Sequence, residues 1–265
     1  MIRLIATDLD GTLLRSDSTL SDRTRAALRR VRAAGVRVVA ATARPARVIQ
    51  DLFGGTPGDG LIDLAICGNG AVRYHVPTRV LTIDHPITGG LARHVIGEIS
   101  RVLPGSAYAV ETGRRVLFEP AYTYRPSLDH DRFPVDTVDA LLTEGLVKLM
   151  VQTPGNDPDT AWAALRPVLG ETVECTWSAA YAPLEMAAFG VSKASGLTSL
   201  CREWGIAPEE VIAFGDAPND LPMLGWAGTA YAVANAHAPV LALTPLHTGS
   251  NDEDGVAAVL EQLIS

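Results

Sequence analysis

Residues 2–12 read IRLIATDLDGT and decide the fold, because a short apolar run ends in two carboxylates and a glycine. The run from Ile2 to Asp8 predicts a buried strand. Leu20 to Ala34 predicts a helix that ends before Gly35, and Val36 to Ala41 predicts a second strand. Two strands that are apolar throughout and joined by a helix predict a parallel sheet covered on both faces.

The same alternation returns near the other end of the chain. There we expect helices and strands over Lys193–Trp204, Val211–Phe214, Thr229–Ala234 and Gly255–Ile264. Together the two ends predict one α/β domain with a doubly wound, mostly parallel Rossmann-like sheet, formed by residues 1–79 and 188–265. Residues 80–187 alternate short strands with two helices, at Thr88–Val102 and Pro158–Leu169, which predicts an inserted α+β domain.

Composition and charge limit the classes of function. The chain has 265 residues, with 22 Lys and Arg against 30 Asp and Glu and a net charge of −8. This acidic balance argues against a nucleic-acid partner. Three widely spaced cysteines fit free thiols in a reducing compartment, and neither a signal peptide nor a membrane span is recognisable. We therefore expect a cytoplasmic protein without membrane contact, either a monomer or a homodimer.

The first candidate site is the pair Asp8 and Asp10, at the end of the first predicted strand. Ligands of open α/β sheets bind beyond the carboxyl ends of the strands, and carboxylates two residues apart on an extended chain project to the same side. A bound cation would offset their repulsion. A calcium-binding loop would need Gly and Glu where this chain has Leu13 and Thr19, so that reading fails.

The second acidic motif is GDAPND at residues 215–220, again directly after a predicted strand. Asp216 and Asp220 are four residues apart, so a helical turn would place them on one face. With Asp8 and Asp10 they form a set of carboxylates at two strand ends of one sheet. Magnesium prefers such oxygen ligands, particularly beside a phosphate, so the sequence predicts a Mg²⁺ site.

Two further positions suit a phosphate ligand. Thr42 ends the second predicted strand, and Lys193 begins a helix whose N-terminus attracts anions. An isolated lysine at a helix start is more often solvated, and an isolated Asp-x-Asp is more often part of a turn. Taken singly, these residues and motifs are therefore weak evidence for a binding site. Their combination with both acidic motifs favours a site. The sequence contains no Walker A, GxSxG or HExxH motif.

In this order the motifs resemble those of the haloacid dehalogenase superfamily, and within it those of the Cof-type sugar-phosphate phosphatases. DLDGT at 8–12 is similar to the first motif of the family, Thr42 in ATAR to the second, Lys193 in GVSK to the third, and residues 215–220 to the fourth. The long segment between Thr42 and Lys193 has the place of the type IIB cap, the inserted domain that selects substrates in that family.

The resemblance implies Mg²⁺-dependent hydrolysis of a small phosphorylated metabolite, a sugar phosphate, through an aspartyl-phosphate intermediate. Asp8 would be the nucleophile and Asp10 the general acid and base. The family's roles carry over as follows: catalytic groups Asp8, Asp10 and Lys193; metal ligands Asp8, Asp10, Asp216 and Asp220; phosphate-binding residues Thr42, Ala43, Asn219 and Asn69.

Some points stay open at the level of sequence. Ala43 stands where the family usually has glycine, and a positive φ there would cost alanine about 1 kcal/mol. A phosphomutase on the same scaffold and a non-catalytic phosphosugar-binding protein are the alternative functions. Candidates for contact with the leaving group, none of them supported by a motif, are Arg125, His130, Arg132, Trp177 and Glu185.

Overall fold

The computed structural model describes residues 1–53, 60–125, 131–142, 145–155, 157–177 and 181–263. The chain divides into two compact units. The first unit comprises residues 1–44, 49–82 and 192–265, and the second comprises residues 45–48 and 83–191. The candidate His130 and the predicted helix end Ile264 lie outside the described residues.

The strands, numbered along the chain, are β1 (Leu4–Thr7), β2 (Arg37–Ala41), β3 (Leu64–Cys67), β4 (Val72–His75), β5 (Val80–Ile83), β6 (Ala107–Glu111), β7 (Val116–Phe118), β8 (Arg132–Pro134), β9 (Lys148–Gln152), β10 (Val173–Thr176), β11 (Leu184–Ala188), β12 (Val211–Gly215), β13 (Thr229–Val233) and β14 (His247–Thr248). The helices are α1 (Asp22–Ala33), α2 (Ala46–Phe53), α3 (Gly89–Val102), α4 (Val138–Leu141), α5 (Pro158–Leu169), α6 (Lys193–Trp204), α7 (Leu221–Trp226), α8 (Ala238–Leu243) and α9 (Gly255–Leu263).

The sheet of the first unit has the order β14-β13-β12-β1-β2-β3-β4-β5 over the described residues. β1 pairs in parallel with β2 on one side and with β12 on the other, and all residues of β1 and β12 are buried. This arrangement confirms the predicted α/β fold with a mostly parallel sheet. Because Thr7 is in register with Phe214, the chain leaves β1 and β12 side by side at the same edge of the sheet.

The helices of the first unit have the ends that local chemistry favours. The Ser21 side chain accepts a hydrogen bond from the Thr24 backbone and so caps α1. A capping box of Ser192 and Ser195 fixes the start of α6, directly before Lys193. Gly205, with a φ of 61°, ends the same helix. Lys193 is therefore held at the first position of a well-defined helix.

The second unit has a mixed sheet with the order β10-β11-β9-β6-β7-β8 over the described residues. Apolar side chains on one face of this sheet pack with those of α3 and α5 into the core of the unit. The other face carries charge: Lys148 donates to Glu185 at 2.7 Å, and Arg47 forms a two-bond ion pair with Glu111 at 3.0 and 2.8 Å.

Several elements differ from the sequence-based expectations. β1 is shorter than the predicted strand at both ends, since it runs from Leu4 to Thr7 rather than from Ile2 to Asp8. The antiparallel pair of β3 and β4 was not predicted. These strands have four residues each, which is too short for periodicity to distinguish them from loop.

Candidate active site

The edge of the sheet beyond β1 and β12 brings three carboxylates together. One carboxylate oxygen from each of Asp8, Asp216 and Asp220 lies within 4.8 Å of the other two. All three residues are buried, with exposed fractions of 5%, 9% and 0%. Like charges at this spacing inside a protein repel strongly, so the cluster needs positive charge to be stable.

Lys193 supplies part of that charge. Its ammonium donates to Oδ1 of Asp8 at 2.6 Å and to Oδ1 of Asp220 at 2.7 Å, and the residue is only 1% exposed. Burial lowers the pKa of Lys193, but the carboxylates of Asp220 and Asp8 outweigh this and raise the pKa above its usual value. The lysine is therefore a fixed positive charge at neutral pH.

Asp220 is a supporting residue in this geometry, because both of its oxygens already have donors. Oδ1 accepts from Lys193, and Oδ2 accepts from the backbone amides of Asp216 and Ala217 at 3.1 and 3.0 Å. The close approach requires glycine at position 215, where a Cβ would lie 2.7 Å from the Cβ of Asp220. Asp220 thereby fixes the backbone that presents Asp216.

The loop after β1 packs against Asp216. Thr12 donates its hydroxyl proton to Oδ1 of Asp216 at 2.8 Å. Gly11, at a φ of 76°, is so close that a Cβ would lie 2.5 Å from Oδ2 of the same carboxylate. Burial raises the pKa of Asp8 well above its usual value and also raises that of Asp216, despite the nearby charge of Lys193. Bringing a cation to this cluster would favour the ionised carboxylates.

The side chain of Asp10 is not part of this cluster. It is 52% exposed and accepts hydrogen bonds from Nε of Arg44 at 2.6 Å and from Nη2 of the same guanidinium. Sequence reasoning assigned no role to Arg44, although the residue lies two positions after Thr42 in the second motif. The side chain of Asp10 therefore binds an arginine in this structure, and its role as a metal ligand stays a prediction.

The predicted phosphate-binding residues follow three strands of the first sheet: Thr42 and Ala43 follow β2, Asn69 follows β3, and Asn219 follows β12. Thr42 is fully buried; its hydroxyl accepts from the Arg44 amide, and its carbonyl accepts from the Asn69 amide at 3.0 Å. Asn219 donates to the side chain of Asn69 at 3.2 Å. Ala43 is not among the residues with positive φ, so the strain considered for an alanine at this position does not arise.

The described leaving-group candidates in the second unit have varied surroundings. Glu185 accepts from Lys148, and Trp177 packs against the apolar core of the unit. Arg125 is exposed, and its guanidinium lies 5.8 Å from the ring centre of Phe118.

The acidic cluster fits a magnesium ion by the chemistry of its donors. Three carboxylates face a single ammonium, and hard carboxylate oxygens are the ligands that Mg²⁺ takes in proteins. Because Asp220 is occupied by Lys193 and two amides, Asp8 and Asp216 are the residues with oxygens to offer a cation.

The chain is similar to known hydrolases and phosphatases. A family model described as haloacid dehalogenase-like hydrolase matches residues 5–260. The chain is 28% identical to the 5-amino-6-(5-phospho-D-ribitylamino)uracil phosphatase of Bacillus subtilis, covering 99% of this chain and 97% of that protein. It is 30% identical to the pyridoxal phosphate phosphatase of Escherichia coli, covering 96% of each. A haloacid dehalogenase-like hydrolase from Bacteroides thetaiotaomicron superposes with a TM-score of 0.80 at 26% identity, over 99% of this chain and 100% of that structure.

None of the helices in the described part of the chain is both long enough and apolar enough to cross a membrane.

Proposed function

The chain belongs to the haloacid dehalogenase-like hydrolases and is a phosphatase, and we propose that it hydrolyses a small phosphorylated metabolite with Mg²⁺ through an aspartyl-phosphate intermediate. The observation that carries the proposal is the buried group of Asp8, Asp216 and Asp220 around the ammonium of Lys193. A carboxylate nucleophile needs such a group, because it has to approach a negatively charged phosphate.

In the first step an oxygen of Asp8 attacks phosphorus, and the bond from phosphorus to the departing alcohol oxygen breaks. Lys193 holds Oδ1 of Asp8 and so fixes the orientation of the carboxylate. The same ammonium reduces the repulsion between Asp8 and the incoming phosphate. The Thr42 hydroxyl and the Asn219 amide would bind phosphoryl oxygens, and the contacts of both residues with Asn69 support this role.

Asp10 donates a proton to the departing alcohol oxygen. In the second step it accepts a proton from the water that attacks phosphorus, the bond to Asp8 breaks, and inorganic phosphate leaves. Both oxygens of Asp10 are bound to Arg44, so the carboxylate has to exchange this partner before it reaches the substrate.

Asp8 and Asp216 would hold the magnesium ion, which would supply positive charge to neutralise the phosphoryl oxygens. The residues of the chain perform the bond-making and proton-transfer steps.

The substrate class we propose is a sugar phosphate. The support for this class is the resemblance of the four motifs to those of the Cof-type sugar-phosphate phosphatases. The named relatives act on other phosphorylated metabolites, a phosphoribitylamino-uracil and pyridoxal phosphate, and both belong in the test panel.

The test is release of inorganic phosphate from sugar phosphates, pyridoxal phosphate and an aryl phosphate, with Mg²⁺ or EDTA. We expect release that requires Mg²⁺ and is lost in Asp8→Asn, whereas Asp139→Asn, the same change in an exposed ion pair with Arg93, retains it. Full release by Asp8→Asn would overturn the proposal. Isomerisation dependent on a bisphosphate activator, with little phosphate released, would identify a mutase.

A further inference from the structure

The loop that follows Asp8 is held from two sides. Its inner side contacts Asp216, through Gly11 and Thr12 as described above. On the outer side, Asn235 donates its side-chain amide to the carbonyl of Gly11 at 2.7 Å. These outer contacts have no part in the proposed reaction.

A second asparagine continues the outer contact. Asn251, which is 6% exposed, donates its side-chain amide to the carbonyl of Leu14 at 3.0 Å. Its backbone amide donates to Oδ1 of Asn235, also at 3.0 Å. The two residues come from different segments, after β13 and before α9, and are joined directly to one another. A continuous chain of hydrogen bonds thus spans the loop from Gly11 to Leu14.

We propose that Asn235 and Asn251, the asparagine pair, are positioning residues for the acidic cluster. They fix the peptide of Gly11 and thereby place Thr12 against the carboxylate of Asp216. The inference rests on the proposed function, in which Asp216 holds magnesium. Neither asparagine is a catalytic residue. Their side-chain amides contact backbone carbonyls of the loop, and Asn235 also accepts from the backbone amide of Asn251.

The chemistry of the primary amide explains why asparagine suits position 235. The carbonyl of Gly11 requires a donor, whereas the backbone amide of Asn251 requires an acceptor, and a primary amide offers both at once. An aspartate would keep the acceptor and place a second oxygen against the carbonyl of Gly11. Asn235→Asp therefore breaks the bond to the carbonyl of Gly11 while retaining the bond to Asn251.

Loss of that bond has a defined consequence for the site. Gly11 adopts a positive φ, which glycine reaches without the penalty of other residues but also leaves readily. Once its carbonyl is released, the peptide before Thr12 can rotate, and the hydroxyl of Thr12 loses its fixed direction toward Asp216. Loss of a group that orients a metal ligand typically costs about 10–100-fold in metal affinity or activity.

The experiment compares Asn235→Asp with Ala234→Asp, which adds the same charge at the neighbouring exposed residue. Four quantities are measured: amide hydrogen exchange in residues 9–16, calorimetric affinity for Mg²⁺, and kcat and KM for phosphate release. We expect Asn235→Asp to speed exchange in the loop and to weaken Mg²⁺ binding by about 10-fold or more, with a fall in kcat and little change in KM. Ala234→Asp should resemble the wild type.

Equal loop exchange and equal Mg²⁺ affinity in the two variants would overturn the inference. Because Asn235 is exposed, its replacement leaves no cavity, and Asn235→Ala serves as a second variant that removes both bonds of the side chain. If the wild type released no phosphate from any compound, the proposed function would fall, whereas exchange and Mg²⁺ titration would still judge the asparagine pair.

Discussion

At the scale of single residues, the buried Lys193 controls the balance of charge in the site. It is in contact with Asp8 and Asp220, and all three side chains are at least nine-tenths buried. Removing one partner from such a group leaves charges unpaired in a medium that solvates them poorly, which typically costs about 3–5 kcal/mol. The lysine is therefore a structural as well as a functional residue.

We expect Lys193→Met to abolish phosphate release and to lower the free energy of unfolding by about 3–5 kcal/mol, measured by urea denaturation. The double variant Lys193→Met with Asp220→Asn should recover part of the loss in stability, since it removes one of the two unpaired carboxylates. Wild-type stability in the single variant would contradict this account.

The site residues at strand ends could be predicted from the sequence. Hydrogen-bond partners that depend on the conformation of loops could not. Asp8 and Asp216 follow apolar strands of one parallel sheet, and such strands end at a common edge. The pairing of Arg44 with Asp10 depends on how two loops fold, and no spacing in the sequence encodes it. The same holds for Asn235, since its contact with the carbonyl of Gly11 also depends on how two loops fold.

At the scale of elements, close packing between the turn at Gly68–Gly70 and the start of α6 brings Asn69 near the site. Gly70 has a φ of 119°, and a Cβ there would fall well inside contact distance of the Ser192 carbonyl oxygen. Gly196, on the first turns of α6, also approaches this segment, since a Cβ on Gly196 would lie 3.2 Å from the Cα of Gly70. Positions 70 and 196 therefore require glycine for this close packing.

Gly70→Ala should lower the free energy of unfolding by more than about 2 kcal/mol, because it adds a clash to an unfavourable φ. Gly97→Ala is the matched control: Gly97 lies within α3, and a Cβ there meets no atom within 4 Å. This second change should raise stability by about 0.5–1 kcal/mol, as alanine is the better helix former. Denaturant titration measures both, and equal effects would refute the packing argument.

Elements with clear end signals were predicted well. α5 and α6 have the bounds expected from the sequence, since Asp157 caps the first and a serine capping box and Gly205 delimit the second. α2 was not anticipated. It has only eight residues, and the prolines and glycines around it in the sequence also fit a loop. Short elements are set by their tertiary contacts, which the local sequence does not display.

At the scale of the whole molecule, occupation of the acidic cluster links metal binding to stability. A ligand present at 100 times its dissociation constant stabilises the folded state by about 2.7 kcal/mol, which for a chain of this size corresponds to a rise in Tm of roughly 5–10 °C. We expect Mg²⁺ to produce such a rise in the wild type when compared with EDTA.

Asp216→Asn should show almost no rise in Tm with Mg²⁺, because one of the two available ligands is lost. Differential scanning calorimetry measures both proteins, and Asp139→Asn again controls for the loss of one carboxylate. A rise of equal size in Asp216→Asn would show that Mg²⁺ acts elsewhere on the protein.

The position of β1 between β2 and β12 also constrains how the protein is made. β12 follows all strands of the second unit in the chain, so on the ribosome one edge of β1 stays without its partner until those strands have been synthesised. The sheet of the second unit can be completed earlier. A nascent chain that ends before β12 therefore exposes the unpaired edge of the apolar strand β1. Protection against aggregation by chaperones matters most at this stage of synthesis.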